Sequence, residues 1–230
     1  MMKKRLFNPS VQMSEAPITV FFLTLSGGMQ DAYSYFVRGK VFANAQTGNI
    51  VLMSQHFFAK DPAGGLRYLI PLLAFAAGIV AAERIHASFA GTGRIHWRQV
   101  VVILEALVLV LVGFMSSGAD LAANALTSFC CAMQVEAFRK ISGYGYASTM
   151  CIGNLRAGME ALSIYLRTHE HEKLIQCGHY FGVIVTFALG AGLGSCLAAS
   201  LNHAMIWICS GLLVIAFLLM LNNDAADAML

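Results

Sequence analysis

Seven or eight apolar stretches, each near the length that crosses a bilayer, constrain this chain more than any other feature. They run over 17–37, 41–58, 67–88, 97–116, 119–138, 145–166, 176–199 and 203–221, with 41–58 and 145–166 the ambiguous pair. A helix needs roughly 20 predominantly apolar residues to traverse about 30 Å of hydrocarbon. Composition agrees with that reading. Hydrophobic residues fill 58% of the 230 positions and charged residues 12%, at a mean hydropathy of +0.67, where a soluble domain carries roughly 45–50% and about 25%. An all-α integral membrane protein is expected, with the bilayer as its first partner.

The formal charge of +3 is scattered, and beyond Lys3, Lys4 and Arg5 there is no basic block. That excludes the footprint of a nucleic-acid partner. Six cysteines (Cys130, Cys131, Cys151, Cys177, Cys196, Cys209) occur without Cys-x-x-Cys spacing. Neither a zinc site nor a disulfide framework follows, and they read as small buried hydrophobes. No metal or cofactor is implied. The N-terminus superficially resembles a signal peptide, but no small-residue cleavage site follows, so 17–37 reads as a retained span. Pro17 suits its first turn. Trp97 and Trp207 fall where amphipathic rings favour the headgroup layer.

The stretches repeat. Gly28-Met29-Gln30 recurs as Ala132-Met133-Gln134, and after a one-residue insertion Asp31-Ala32-Tyr33 matches Glu136-Ala137-Phe138. At that same offset Gly48-Asn49 matches Gly153-Asn154. An acid, an aromatic and a Gly-Asn kept in register point to duplication. The expected domains are a cytoplasmic segment over 1–16, membrane repeats over 17–116 and 117–221, and a short tail over 222–230.

Counting Lys and Arg sets the expected topology, because cytoplasmic loops carry the excess. If all eight stretches span, the two sides balance and no orientation results. If 41–58 and 145–166 dip in and return, Lys3, Lys4, Arg5, Arg84, Arg94, Arg98, Arg139, Lys140, Arg167 and Lys173 share the cytoplasmic side. Only Arg38, Lys40, Lys60 and Arg67 then lie outside. This bias favours about six transmembrane helices, both termini cytoplasmic, in two inverted-topology repeats, each with a short broken or re-entrant helix. Inverted repeats are a recurrent transporter plan with the site near the midplane.

Candidate site residues follow from that plan. After Gln46, Thr47, Gly48 and Asn49, the apolar run 50–58 would rise roughly 13 Å as a helix, about half the core. Asn49 is expected to cap it, with Thr47 as the alternative and Gly48 allowing the turn. Gly153 and Asn154 are expected to open the second short helix, so that two helix N-termini face each other at the midplane. Asp31 and Glu136, with Gln30 and Gln134 beside them, are ionisable and polar groups inside spans and hence candidates for a solute or proton site. The competing reading pairs Asp31 with Arg38 or Lys40 and Glu136 with Arg139 or Lys140. Arg156 could line the same site or pair with Glu160 along its helix. Glu105 and Glu83-Arg84 read as partly solvated near the cytoplasmic side. Glycines such as Gly78 and Gly190 read as packing positions. No His-Glu-x-x-His, phosphate loop or Gly-x-Ser-x-Gly is present, so no enzyme is expected.

Three segments together resemble the YoaK family of bacterial membrane proteins: Gly-Met-Gln-Asp-Ala-Tyr at 28–33, Val-Phe-Ala-Asn-Ala-Gln-Thr-Gly-Asn at 41–49, and Ala-Met-Gln at 132–134 with Gly153-Asn154. The resemblance covers about 17–221 and implies a bacterial inner-membrane protein of about six spans, without supplying a substrate. Where that family often has a Thr-Gly-Asn-like second half, this chain has Ile152-Gly153-Asn154, so a hydroxyl there is not carried over. The leading expectation is a transporter or channel for a small solute or ion. A non-transporting scaffold or sensor subunit is the alternative, and either is compatible with a homo-oligomer.

Overall fold

Pro17 opens the first helix, where its missing N–H forfeits no helical bond, and α1 runs over Pro17–Phe36. The computed structural model describes residues 12–89 and 96–227, with side chains through 221. Six further helices follow α1 up to α7: α2 (Gln46–Phe58), α3 (Pro62–Phe89), α4 (Trp97–Gly113), α5 (Asp120–Ala137), α6 (Cys151–Thr168) and α7 (His171–Leu201). The last, α8, covers Ile206–Asp227. A hairpin of two-residue strands, β1 (Lys140–Ile141) and β2 (Tyr144–Gly145), sits between α5 and α6. Its turn residues Ser142 and Gly143 both have positive φ, as the twist of a tight hairpin requires. The chain is otherwise all-α. Lys3, Lys4, Arg5, Arg94 and the end of the 222–230 tail lie outside the described residues.

Two stretches are long and apolar enough to cross a membrane: Pro62–Phe89 and His171–Leu221. Only 33% and 39% of their apolar windows are buried inside the chain. Leu73, Val80, Leu107, Leu111, Val185, Leu189, Leu193 and Leu218 all point outward. Apolar surface on this scale suits lipid rather than water. The chain is a membrane protein.

Packing is crossed between the halves. α1 lies against α7 and α8, and α5 lies against α3 and α4; α2 packs on α3, α6 on α7, and α4 on α8. Glycine makes the closest crossings. A β-carbon on Gly78 would strike the Phe129 carbonyl of α5, and one on Gly190 would strike the Leu25 carbonyl of α1. Small residues at such points let helix backbones approach closely. The main apolar core gathers Leu23, Tyr33, Val101, Leu109, Cys130, Met133 and Leu213 between α1, α4, α5 and α8.

Polar staples close the ends. Arg38 is fully buried, and its guanidinium donates to the carbonyls of Val112, Met115 and Ser116, to Tyr33 Oη and to Asp120 Oδ1. It thus ties together the carbonyls around the end of α4, adding to the backbone bonds that Val112 and Ser116 already accept. At the other end Arg98 donates to the Ala137 carbonyl, Ser14 Oγ and Gln12 Oε1. His96 caps α4 there in a reciprocal pair with Gln99. In the α2–α3 turn, the Gly64 N–H and then His56 hold the Asp61 carboxyl below the usual carboxylate range.

Four of the six cysteines are buried as expected. Cys151 is half-buried, and Cys196 is exposed on α7, so its surroundings are those of the outer apolar surface rather than the core.

Candidate functional site

Residues 37–45 leave the end of α1 and turn back along it. The Ala43 N–H donates to Ser34 Oγ at 3.0 Å, the Asn44 N–H to Asp31 Oδ1 at 2.7 Å, and Asn44 Nδ2 to the Gly27 carbonyl at 3.2 Å. The bonds step inward along α1, from Ser34 to Asp31 to Gly27. Because α1 has 20 residues, Gly27 lies about 15 Å from either end at 1.5 Å per residue. From this inner point α2 starts and returns outward to meet α3.

A segment of the second half reaches the same point of α1 at Thr149. After the hairpin, Ser148 Oγ accepts from Gln134 Nε2 at 3.0 Å, and that amide also donates to the Leu23 carbonyl of α1. Thr149 Cγ2 lies 2.5 Å from where a β-carbon on Gly27 would stand. Asn44 and Thr149, each five positions before the asparagine of its Gly-Asn pair, both reach Gly27. A β-carbon at Gly27 would strike the Thr149 methyl.

Asn49 and Asn154 hold the two tips. Asn49 Nδ2 donates to the Phe42 carbonyl and its Oδ1 accepts from the Phe42 N–H; Asn154 does likewise with Ala147. Neither is a helix cap. The structure starts α2 at Gln46 and α6 at Cys151, with Ala45 and Met150 in the cap positions and no side-chain cap bond. The helices thus begin about one turn before the expected points, because loop backbone fixed by Asp31 and by each clamp directs the chain into them. Each Asn side chain therefore turns back to its loop rather than to its own helix end.

Of the remaining expected residues, Gln46 donates to Ala43 O and accepts from Asn49, whereas Thr47 and Gly153 are exposed. Gln30 and Gln134 are buried at the centre. Asp31 is also there, and its expected pairing with Arg38 or Lys40 is overturned. Arg38 is committed to Asp120 and the α4–α5 turn, and Lys40 lies over the rings of Tyr35 and Phe36. Asp31 instead accepts from the Asn44 N–H in the loop that leads into α2. Glu136 is not brought to Asp31; it pairs with Arg139, which also binds Glu83. Arg156 pairs with Glu160 at 3.8 Å on the exposed face of α6.

Glu105 departs from expectation. Rather than partly solvated, it is fully buried, because α1, α5 and α8 close over that face of α4. Its Oε1 accepts from Gln30 Nε2 at 3.0 Å, and Gln30 Oε1 accepts from Cys131 Sγ. The available signal was a lone acid in the apolar run 100–112.

Among the described residues no group of three or more His, Cys, Asp or Glu could hold a metal ion. A groove of ≈ 150 Å³ opens between α1, the hairpin and α7, lined by Pro17, Thr24, Ile141, His179 and Gly182 among others. It contains none of the loop-tip residues.

The family model described as "Protein of unknown function (DUF1275)" matches residues 19–219. No curated protein matches the chain, and no solved structure does.

Proposed function

We propose, from the premise that this chain belongs to the DUF1275 family, that it is a multi-pass inner-membrane transporter or channel for a small solute. On this reading six helices (α1, α3, α4, α5, α7 and α8) span the bilayer as two inverted repeats. The segments containing α2 and α6 enter from opposite faces and stop at the midplane.

The convergence of Asn44 and Thr149 on Gly27, at the middle of α1, carries the proposal. Irregular backbone at hydrocarbon depth is tolerated only where protein or a wet cavity covers it. Paired half-helices at such a point are how many transporters present polar groups to a solute. The staples support the sidedness: Arg98 and Arg139 mark one end and Arg38 the other, and the arginine-rich end is the cytoplasmic one. Gln30, Asp31, Asn44, Gln134 and Thr149 would line the site. Asn49 and Asn154 shape it, whereas Arg156 and Glu136 stand away from it.

One observation favours the non-transporting alternative. The Asn49, Asn154 and Asp31 side chains are all committed to backbone of their own chain, as they would be if they served packing alone.

Osmotic swelling of proteoliposomes separates the two. Vesicles shrunk in urea, glycerol, ammonium chloride or potassium chloride should re-swell faster with the protein than without it in at least one solute. Asp31→Asn should alter that rate while the protein stays monodisperse, because an amide oxygen can still accept from the Asn44 N–H. Protein-containing vesicles that match empty ones in every solute would reject transport and leave the scaffold or sensor reading.

A further inference from the structure

The buried centre is short of hydrogen-bond donors. Six of its side-chain atoms have no partner: Thr24 Oγ1, Asn44 Oδ1, Glu105 Oε2, Ser128 Oγ, Gln134 Oε1 and Thr149 Oγ1. All are oxygens. The amide nitrogens of the same cluster are used: Gln30 Nε2 on Ser26 and Glu105, Asn44 Nδ2 on Gly27, and Gln134 Nε2 on Leu23 and Ser148. Hydroxyls can rotate to donate, but a carboxyl or amide oxygen left unpaired in the interior carries its full desolvation penalty. Such a centre suits a ligand that brings positive charge.

The charge balance gives its valence. Asp31 Oδ1 accepts from the Asn44 N–H of the loop before α2. Glu105 has no such compensation. It meets the neutral amide of Gln30 from α1, Cys130 and Cys131 from α5, and Cys209 from α8. No described basic side chain forms an ion pair with it, whether from those helices or from α3, which also touches α4. With Asp31 already bonded to loop backbone, the one carboxyl left among neutral oxygens lacks the ligand charge that divalent and transition metals draw on. Cys131 lies between Gln30 and Asn44, so Glu105 is linked through it to the loop tip at Gly27.

We propose that this centre binds one desolvated monovalent cation, with Glu105 as its charged group and the side-chain oxygens of Asn44 and Gln134 as neutral ligands. This rests on the midplane reading of the same centre, and binding is tested without flux so that the two can fail separately. An alkali ion or ammonium would satisfy the same oxygens.

The test is thermal unfolding of the full chain in lipid nanodiscs, at constant ionic strength, as N-methylglucamine chloride is replaced by sodium, potassium or ammonium chloride. At least one small cation should raise Tm saturably. Glu105→Gln keeps the volume and an oxygen for Gln30, and should abolish the rise; the exposed control Glu160→Gln should retain it. Gln134→Met should raise the half-saturating concentration about tenfold or more, and serves as the second variant if Glu105→Gln does not fold. Salts without effect, together with a wild-type Tm that varies across about pH 5–9 where Glu105→Gln stays flat, would mean that Glu105 only takes up a proton as a neutral acid, and would overturn the cation site. Equal salt and pH responses in wild type and Glu105→Gln would overturn the proposal. Cation binding without solute flux would keep it and remove transport. Flux of a neutral solute without a cation response would do the reverse.

Discussion

Asn49 and Asn154 make the same two-bond clamp, each side chain binding both the N–H and the C=O of the residue seven positions before it. Phe42 and Ala147 are thereby held as if paired in a sheet, although no strand is there. Asn49→Ala or Asn154→Ala would leave a backbone donor and acceptor unpaired. Each should cost about 1–3 kcal/mol, read as a lowered unfolding midpoint in detergent. Asn49→Asp should also destabilise, because a carboxylate cannot donate to the Phe42 carbonyl.

Arg38 supplies a second prediction. Its guanidinium is fully buried with every donor group engaged, and its ion pair to Asp120 is 2.9 Å long. Arg38→Ala would leave Asp120 without its ion pair and the Met115 carbonyl without its Arg38 donor, at about 3–5 kcal/mol. Arg38→Lys should recover little, since an ammonium cannot reproduce a planar fork contacting carbonyls on several sides. Chemical unfolding of both variants checks this.

Much of the fold could be read in the sequence because lipid imposes a simple rule on apolar run length. The register of Gly-Asn and Met-Gln located both loop tips. What the sequence hid was partner choice across space. Asp31 and Arg38 are seven positions apart and of opposite charge, yet one binds the loop before α2 and the other the end of α4. The helix starts differ from the expected points because the bonds that fix the entering loops, Asp31 to Asn44 and the two Asn clamps, are made across space rather than between chain neighbours. Burial of Glu105 depends on where α1 and α5 cross α4, which no local pattern carries. The β1–β2 hairpin leaves little trace in the sequence, since it is only two residues deep on each side.

The glycines test the crossed packing of the halves. Gly78→Ala and Gly190→Ala each place a methyl against a backbone carbonyl of the opposite half, which neither helix can relieve by turning a side chain. Both should destabilise by about 1–3 kcal/mol. Gly192, on the same helix as Gly190, has open space around it. Gly192→Ala should be neutral or gain up to about 1 kcal/mol from helix propensity. Parallel thermal melts of the three variants provide the comparison.

Sidedness of the two short-helix turns tests the inverted plan most directly. The α2–α3 turn near Ala59 and the α6–α7 turn near Glu170 are both exposed, and the account puts them on opposite faces of the membrane. In a cysteine-free background, Ala59→Cys in intact cells should react with a membrane-impermeant maleimide. Glu170→Cys should react only after the membrane is opened. Labelling of both positions from the same side would contradict the inverted repeat and, with it, the meeting of two half-helices at Gly27 from opposite leaflets.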